Sequence, residues 1–293
     1  MQINHIQHKD IDYKRWDQCI STAVNHFIYA YSWYLDIVSP DWEALTDDNY
    51  DYVMPLPVKR RFYIPYLVQP FLTQQLGFFS SKPLTEEILQ QFIKKIPYYS
   101  YELHLNEKIE HPEITLMPNY VLQLNKSYKE TASKYSKNTQ RNIDKAIKSK
   151  LKVIKESDNN TFMNFYQEIS THLKSDDFEI ILKVLDKAKE NNALEIYIVK
   201  NENNETCAAL ALLISSERLT YFLPASNAAG KKNCSMFFLV DELIKKYAGQ
   251  NLIFDFEGSS IEGIARFYKG FGAENQPYYS IKKFRPSFLI GKI

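Results

Sequence analysis

Apolar and polar positions alternate along the chain with helical and strand periods, and the first half predicts a mixed set of elements. The period-2 segments predict strands and the 3.6-period segments predict helices. In order, the predicted elements are strand 2–7, helices 13–24 and 32–38, strands 42–46, 52–57 and 61–68, helix 85–96, and strands 99–105 and 119–124. A turn at Asp47-Asp48-Asn49 joins the first two of the three central strands.

The second half repeats this order at an offset of about 150 residues. Its predicted elements are strand 151–156, helices 161–171 and 176–191, strands 194–200, 206–215 and 219–223, helix 235–248 and strand 252–256. A duplicated unit explains the repetition, and two unrelated α/β layers are the alternative. The order differs from a series of βαβ crossovers, so it argues against a doubly wound parallel sheet.

The predicted fold class is therefore α+β, with each copy a mixed, mostly antiparallel sheet flanked by helices. The predicted domains are 1–125 and 126–293, and a basic helix at 127–149 opens the second.

The composition is typical of a folded protein and does not indicate a disordered or membrane-spanning chain. Of 293 residues, 45% are hydrophobic and 24% charged, and the net charge of +1 says nothing about partners. The three cysteines are far apart, which fits a reducing compartment, and the polar N-terminus shows no signal peptide. No apolar run has the length of a membrane span, so a cytoplasmic location is expected. The histidines and cysteines show no metal-ligand spacing, so no metal is expected.

The segment 254–272 combines two acids, a strand and a short helix. Alternation along a strand would place Asp255 and Glu257 on one face. Ser259 or Ser260 is the predicted cap of the helix that follows, and Gly270 and Gly272 are predicted to end it. The acids are candidate bases for proton abstraction. The alternative is that Asp255 caps the helix or pairs with Lys269 or Arg266.

The segment 126–155 carries ten lysines and arginines against two acids, a net charge of +8. Helical spacing places Lys137, Arg141, Lys145 and Lys148 in one stripe. This stripe suits phosphate groups of tRNA, of a nucleotide-linked acceptor or of lipid headgroups, and a solvated helix face is the alternative.

The sequence resembles tandem-GNAT proteins of the FemABX type, which are aminoacyl transferases. The resemblance spans nearly the whole chain and is carried by PLPVKRRFYIPYLVQPFLTQQLGFFS (55–80), YSKNTQRNIDKAIKSKLKV (135–153) and FDFEGSSIEGIARFYKGFGA (254–273). It implies two GNAT copies, with catalysis in the second and an amine acceptor in the cleft between them. Gln69, Gln74 and Gln75 are the candidate acceptor-orienting residues in the first copy.

The resemblance also implies a loop that cradles a diphosphate between a strand and a helix. The candidate donor-binding residues are Leu223, Ala225, Asn227, Gly230, Lys231, Lys232, Asn233 and Ser235. The loop keeps one glycine of the GNAT pattern and has Lys232 where the pattern has a small residue, so a side chain there would obstruct the diphosphate. Lys231 and Lys232 are instead expected to contact phosphate as point charges.

Acyl transfer needs a base, a stabilised carbonyl oxygen and an accommodated leaving group. The resemblance gives Lys269, after an aromatic near the end of its helix, a contact with phosphate and the transferring carbonyl, whereas a cation at a helix end also has a structural explanation. The strand end 223–226 is expected to stabilise the oxyanion through its backbone. Tyr221, Tyr268, Tyr278 or Tyr279 is the candidate donor of a proton to the leaving group, and a purely structural role for each tyrosine is the alternative. Tyr221 and Arg141 are also candidate substrate contacts.

The predicted function is transfer of an acyl or aminoacyl group to an amine. Acetyl-CoA or another acyl-CoA, and aminoacyl-tRNA held by the basic segment, are the two candidate donors. The alternative is a GNAT-fold binding or scaffold protein that has lost the donor site.

Overall fold

The computed structural model describes residues 1–283, and contacts within it define two compact units. The first contains residues 1–117 and 277–283, and the second contains residues 118–276. The last ten residues of the predicted domain 126–293 lie outside the described residues.

The elements follow the predicted order closely. The strands are β1 (Ile3–Ile6), β2 (Glu43–Asp47), β3 (Tyr52–Leu56), β4 (Val58–Arg61), β5 (Ile64–Val68), β6 (Phe79–Ser80), β7 (Tyr101–Leu105), β8 (Ile114–Met117), β9 (Tyr120–Gln123), β10 (Lys152–Glu156), β11 (Leu194–Lys200), β12 (Thr206–Ile214), β13 (Arg218–Ser226), β14 (Ile253–Asp255), β15 (Glu274–Asn275) and β16 (Tyr278–Lys282). The helices are α1 (Tyr13–Thr22), α2 (Ser32–Val38), α3 (Glu86–Lys95), α4 (Tyr128–Ala132), α5 (Lys137–Lys148), α6 (Asn159–Ile169), α7 (Ser175–Glu190), α8 (Ala228–Lys232), α9 (Ser235–Tyr247) and α10 (Glu262–Gly270).

The first unit contains a four-stranded sheet, β1-β2-β3-β6, and a five-stranded sheet, β4-β5-β7-β16-β8. Leu45, Met54, Leu67 and Phe92 belong to its buried core. Helix α3 begins where the sequence predicts, because the Thr85 hydroxyl accepts a hydrogen bond from the Ile88 amide at 3.4 Å.

The second unit is built on a seven-stranded sheet in the order β10-β11-β12-β13-β14-β9-β15. Its pairs are antiparallel except for β13 and β14, which run parallel. Helices α5, α9 and α10 contribute Ile143, Leu239 and Tyr268 to one core with the strands. The predicted α+β class with mostly antiparallel pairing is confirmed.

Strands β9 and β16 each belong to the unit formed mainly by the other half of the chain. Strand β9 comes from the first half of the chain but pairs with β14 and β15 in the second unit. Strand β16 comes from the end of the described chain but pairs with β7 and β8 in the first unit. The predicted domain boundary at residue 125 and the contact boundary at residue 117 therefore differ by strand β9.

Several local predictions were wrong. The predicted strand 61–68 is a hairpin, because β4 ends at Arg61 and Phe62-Tyr63 forms a turn before β5. The predicted helix 127–149 is two helices, and Ser136 caps the second by accepting a hydrogen bond from the Thr139 amide at 3.1 Å. Strands β6, β8, β15 and β16 and helix α8 were not predicted.

None of the helices in residues 1–283 combines the length and apolarity needed to span a bilayer.

Candidate functional site

Strands β13 and β14 separate part of the way along the second unit's sheet. Their parallel pairing ends at Thr220 and Asp255, where β14 stops. Strand β13 continues to Ser226 and remains paired with β12. The edge of β13 on the β14 side therefore has no paired strand from Tyr221 to Ser226 within the described sheet.

A β-bulge marks the place where the two strands separate. On β12, Ala211 faces Leu223 and the next residue, Leu212, faces Tyr221. Phe222 is therefore the extra residue on β13. A bulge of this kind bends the strand, increases its twist and redirects backbone groups next to binding sites.

The backbone direction beyond the bulge leaves an amide at the open edge. The Asn227 amide donates to the Cys207 carbonyl on the β12 side at 3.1 Å. Because amides alternate in direction along a strand, positions 226 and 224 face the opposite edge. Pro224 has no N–H group, so Ser226 supplies the donor there. A donor in this position can stabilise negative charge on a carbonyl oxygen.

The predicted loop after this strand is largely ordered secondary structure. The Asn227 side chain accepts a hydrogen bond from the Gly230 amide at 2.8 Å and donates one to the Thr206 carbonyl at 2.9 Å. It thereby caps α8, a single short turn of helix. A Cβ atom on Gly230 would lie 2.1 Å from the Cys207 carbonyl oxygen. The packing of α8 on β12 therefore requires this glycine, whatever ligand the loop binds.

The other predicted donor-binding residues divide by exposure. Lys231 and Lys232 are exposed, and Asn233 is half-buried. Leu223 and Ala225 are buried in the strand. Ser235, the first residue of α9, is fully buried, and its hydroxyl has no hydrogen-bond partner among the described residues.

The two acids occupy different environments, and the predicted shared face is wrong. Strand β14 ends at Asp255, and Glu257 has a left-handed backbone with φ of 60°. Asp255 is 1% exposed and forms an ion pair with Arg218 at 2.5 Å. Its carboxylate also accepts a hydrogen bond from the Glu257 amide at 2.9 Å. These contacts favour a role for Asp255 in orienting the backbone of Glu257.

The predicted partners of Asp255 were also wrong. Arg266 pairs with Glu262 at 2.6 Å, and the Asp255 carboxylate does not cap the next helix. Sequence reasoning missed Arg218, which is 37 positions away and is the first residue of β13. The sequence signal was a charged pair, Glu217-Arg218, at the start of an otherwise apolar strand.

Helix α10 presents Lys269 at its last turn. The predicted serine caps are wrong, because the N-cap residue is Ile261, although the Ser259 hydroxyl accepts a hydrogen bond from the Ile261 amide at 3.0 Å. Lys269 is exposed, and its Nζ lies 5.4 Å from the centroid of the Tyr120 ring. The Tyr120 amide donates to the Glu257 carbonyl at 3.0 Å. Lys269 and Glu257 therefore both contact Tyr120.

Tyr221 and Tyr268 lie in a buried aromatic cluster with Phe254 and Phe256. Burial raises the pKa of Tyr268, and the charges of Glu257 and Asp255 raise this pKa further. Burial, with a smaller contribution from Tyr268, also raises the pKa of Tyr221. Both hydroxyls therefore remain protonated at neutral pH, and both side chains are less than 10% exposed.

The basic helix begins next to the end of α10. The Ser136 amide donates to the Gly270 carbonyl at 2.8 Å, and Gly270 packs against the Thr139 hydroxyl so closely that a Cβ atom would lie 2.3 Å from it. Lys137 and Lys269 are thus each one residue away from this hydrogen bond. The stripe Lys137, Arg141, Lys145 and Lys148 is exposed, and within residues 1–283 none of the four forms an ion pair. The site residue that the sequence placed on this helix, Arg141, lies in that stripe.

The predicted acceptor residues belong to the first unit and are held by local contacts. The Gln69 side chain accepts a hydrogen bond from the His104 amide at 3.1 Å and donates one to the Thr73 carbonyl at 3.1 Å. Gln75 is buried and donates to the Gln74 side chain at 3.0 Å. These bonds give Gln69 a structural role in joining its loop to β7.

Comparison with solved structures shows the fold. The chain is similar to FemX with a TM-score of 0.67 and 12% identity, covering 95% of this chain and 97% of that one. It is similar to the C-terminal domain (DUF2156) of a putative lysylphosphatidylglycerol synthetase from Agrobacterium fabrum, with a TM-score of 0.59, 10% identity and coverage of 94% and 92%.

A tandem GNAT protein from the clavulanic acid biosynthesis pathway matches with a TM-score of 0.53 and 7% identity, over 97% of this chain and all of that one. No protein-family model and no curated protein matches the sequence. The chain has the tandem-GNAT, FemABX-like fold that the sequence predicted.

Proposed function

We propose that this protein transfers an acyl or aminoacyl group to an amine, with the donor carbonyl held at the open edge of β13. The observation that carries the proposal is the separation of β13 from β14 after Thr220, together with the bulge at Phe222. These features leave the Ser226 amide directed to an edge without a paired strand. A carbonyl oxygen placed there accepts this N–H bond as negative charge develops on it.

The reaction forms a C–N bond between the acceptor amine and the donor carbonyl. It breaks the C–S bond of a thioester or the C–O bond of an aminoacyl ester. Glu257, directly or through water, takes the proton that the amine loses, while Asp255 and Arg218 fix its backbone. Lys269 stabilises the charge on the transferring carbonyl or on a donor phosphate. Tyr268 is the candidate donor of a proton to the leaving group.

Two exposed basic surfaces of the second unit suit the two candidate donors. An acyl-CoA would place its phosphates near Lys231 and Lys232, which are exposed after the strand end. An aminoacyl-tRNA would place phosphates along the stripe on α5, which begins at the end of α10 beside Lys269. The four side chains of the stripe form no ion pairs with described residues. Four exposed cations in a row match a phosphate backbone, which favours aminoacyl-tRNA over acyl-CoA as the donor.

Lys269→Ala tests the chemical role of this lysine, with Arg266→Ala on the same helix as the matched control. Transfer of a labelled acyl or aminoacyl group to a panel of amines is measured with each variant. We expect Lys269→Ala to lower kcat about 100-fold and Arg266→Ala to have little effect, because Arg266 contacts only Glu262 among the pairs described. Equal activity of the two variants would exclude a chemical role for Lys269. Its charge would then serve only to stabilise the C-terminal end of α10.

Salt dependence of tRNA binding tests the stripe. Four phosphate contacts predict that log K falls with log salt with a slope of about −3.6 on a duplex stem. Arg141→Gln/Lys145→Gln should reduce this slope to about half, whereas Lys183→Gln/Lys187→Gln on α7 should leave it unchanged. A slope near zero for the wild-type protein would exclude tRNA as the donor at this surface and leave acyl-CoA.

A binding protein without catalysis is the second candidate function, because the loop residues Asn227 and Gly230 are both used for internal contacts. Thermal shift with acetyl-CoA and with aminoacyl-tRNA separates the two. A ligand at about 100 times its Kd stabilises the folded protein by about 2.7 kcal/mol. Stabilisation without any transfer would support the binding protein, whereas transfer to any amine would exclude it.

A further inference from the structure

The hairpin between β4 and β5 ends in an unusual turn. Arg61 and Ile64 form its last pair, so Phe62 and Tyr63 are the two loop residues. Their φ angles are 50° and 64°, both left-handed. A two-residue loop of this kind has the type I′ geometry, which strongly favours Asn-Gly because bulky side chains are strained there.

The same residues are among the most exposed hydrophobic side chains of the chain. Phe62 is 71% exposed, Tyr63 is 98% exposed and the adjacent Ile64 is 44% exposed. The aromatic side chains therefore contribute little to the core of the first unit and are unfavourable for the turn. Neither local structure nor packing accounts for them, which points to a role in binding.

Basic residues surround this tip. Lys59 and Arg60 are exposed, and the guanidinium carbon of Arg61 lies 5.5 Å from the centroid of the Phe62 ring. Arg60 contacts Asp41 and Glu43 at 3.6 Å. Lys59 and Arg61 form no ion pair with the residues described. The Nη1 atom of Arg61 is also buried without a hydrogen-bond acceptor in that part of the chain.

We propose that the hairpin tip, Phe62 to Ile64, inserts into the interfacial layer of an anionic phospholipid bilayer, with Lys59 and Arg61 at the phosphate level. Aromatic rings partition to this layer, and nearby lysines and arginines are attracted to anionic headgroups. An aliphatic side chain at the tip fits a bilayer better than single-stranded RNA, because Ile64 offers no ring on which a base stacks. This inference is independent of the acyl-transfer reaction.

The turn itself supplies a sharp test variant. Phe62→Asn/Tyr63→Gly removes both aromatic side chains and installs the residue pair that the type I′ turn prefers. The variant should melt at the same temperature as the wild-type protein or higher, so that lost binding cannot be attributed to unfolding. Leu116→Ser is the matched control, since Leu116 is 64% exposed on β8 of the same unit.

Binding is measured by co-sedimentation with vesicles of phosphatidylcholine alone and with added phosphatidylglycerol. We expect the wild-type protein to bind the anionic vesicles about 25-fold more tightly than the neutral ones, or more. Phe62→Asn/Tyr63→Gly should abolish sedimentation, and Leu116→Ser should leave it unchanged. Lys59→Gln/Arg61→Gln should weaken binding to the anionic vesicles roughly 25-fold, about fivefold for each charge, without changing binding to neutral vesicles.

Three results would overturn the proposal. One is sedimentation of Phe62→Asn/Tyr63→Gly equal to that of the wild-type protein. Another is wild-type binding to a single-stranded RNA oligonucleotide, lost in the same variant, with no binding to either vesicle. The third is a wild-type dimer that this variant converts to a monomer, which would assign the tip to contact between copies. The acyl-transfer assay contains no vesicles. A negative result in that assay would therefore count against the proposed transfer reaction and not against membrane binding by the hairpin tip.

Discussion

Gly230 shows how a single hydrogen atom in place of a Cβ determines local packing. The resemblance to the GNAT pattern predicts that this glycine lies near a diphosphate, but the structure places its Cα against the Cys207 carbonyl. We expect Gly230→Ala to destabilise the protein by about 1–3 kcal/mol or more, because the contact is with backbone and cannot relax cheaply. The measurement is urea unfolding followed by circular dichroism.

Gly263 is the matched control for this substitution. It lies in the first turn of α10, a Cβ atom added to it would meet no heavy atom within 4 Å, and its φ is not left-handed. Gly263→Ala should therefore stabilise the protein by about 0.4–1 kcal/mol. If Gly230→Ala did not lower the free energy of unfolding relative to the wild-type protein, α8 would move away from β12 without an energetic cost.

Arg218 and Asp255 form a buried ion pair, and Asp255 holds the backbone amide of Glu257 in the candidate site. The two side chains are 15% and 2% exposed. Arg218→Met should destabilise the protein by about 3–5 kcal/mol, because it leaves the Asp255 carboxylate buried without its cation. Arg218→Met/Asp255→Asn should recover part of this loss in the same unfolding experiment. A loss below about 1 kcal/mol for Arg218→Met would mean that water solvates Asp255 in the variant.

At the residue scale, the sequence supplied candidate side chains but not their partners. Asp255, Glu257 and Lys269 were selected because they surround a strand end and a helix end. Their contacts depend on residues far away in sequence, Arg218 and Tyr120, and local patterns carry no information on such pairs. The burial of Tyr221 and Tyr268 could not be predicted from the sequence either, because the chain has 21 tyrosines with similar local surroundings.

At the element scale, most helices were predicted because periodicity is local, although the predicted helix 127–149 is two helices and the predicted caps of α10 are wrong. Helix α2 and strand β11 have the predicted bounds, and Thr85, where the predicted helix 85–96 begins, caps α3. The β4–β5 hairpin was missed because its turn contains Phe62 and Tyr63, which are good strand formers, and lacks glycine and asparagine. The predicted strand 219–223 is shorter than β13, because Pro224 and the small residues after it are typical of loops.

A network on β10, β11 and α9 gives the second unit a pH-dependent contribution to stability. The Glu195 carboxylate accepts hydrogen bonds from Lys155 at 2.7 Å, from Lys246 at 3.0 Å and from the hydroxyls of Tyr197 and Tyr247. Burial alone would raise the pKa of Glu195, but these bonds outweigh it and lower the pKa to about 2.

Because the folded-state pKa is below the usual value of 4.5, this carboxylate stabilises the fold above about pH 4.5. The contribution is lost as the pH falls towards 2. Glu195→Gln should therefore destabilise the protein at pH 7 by about 1–2 kcal/mol, a range that allows for partial solvent screening. Urea unfolding at several pH values should show the wild-type and variant stabilities converging between pH 4.5 and 2. A constant difference across that range would exclude Glu195 as the titrating group.

At the scale of the whole molecule, the repeated order of elements was enough to predict two copies but not the exchange of strands between halves. Strands β9 and β16 are short apolar segments whose position in the chain does not say which sheet they join. Their pairing is set by hydrogen bonds to β14 and β7, which lie more than a hundred residues away along the chain. Sequence proximity favoured the wrong sheet for β9, and β16 was not predicted at all.

This exchange predicts how fragments of the chain behave. A fragment of residues 118–276 contains all seven strands of the second unit's sheet, so we expect it to fold cooperatively with the far-ultraviolet spectrum of an α+β domain. A fragment of residues 126–276, cut at the boundary that the sequence suggested, lacks β9. Because β9 lies between β14 and β15, its loss exposes the edge of β14 and the aromatic core around Phe254.

We therefore expect the shorter fragment to aggregate or to unfold without a cooperative transition, although it differs by only eight residues. A matched comparison uses residues 1–117, which lack β16, the strand that lies between β7 and β8 in the five-stranded sheet. That fragment should be less stable than 118–276 in urea. If residues 126–276 unfolded as cooperatively as residues 118–276, β9 would be dispensable for the second sheet, and the domain boundary would lie at residue 125 after all.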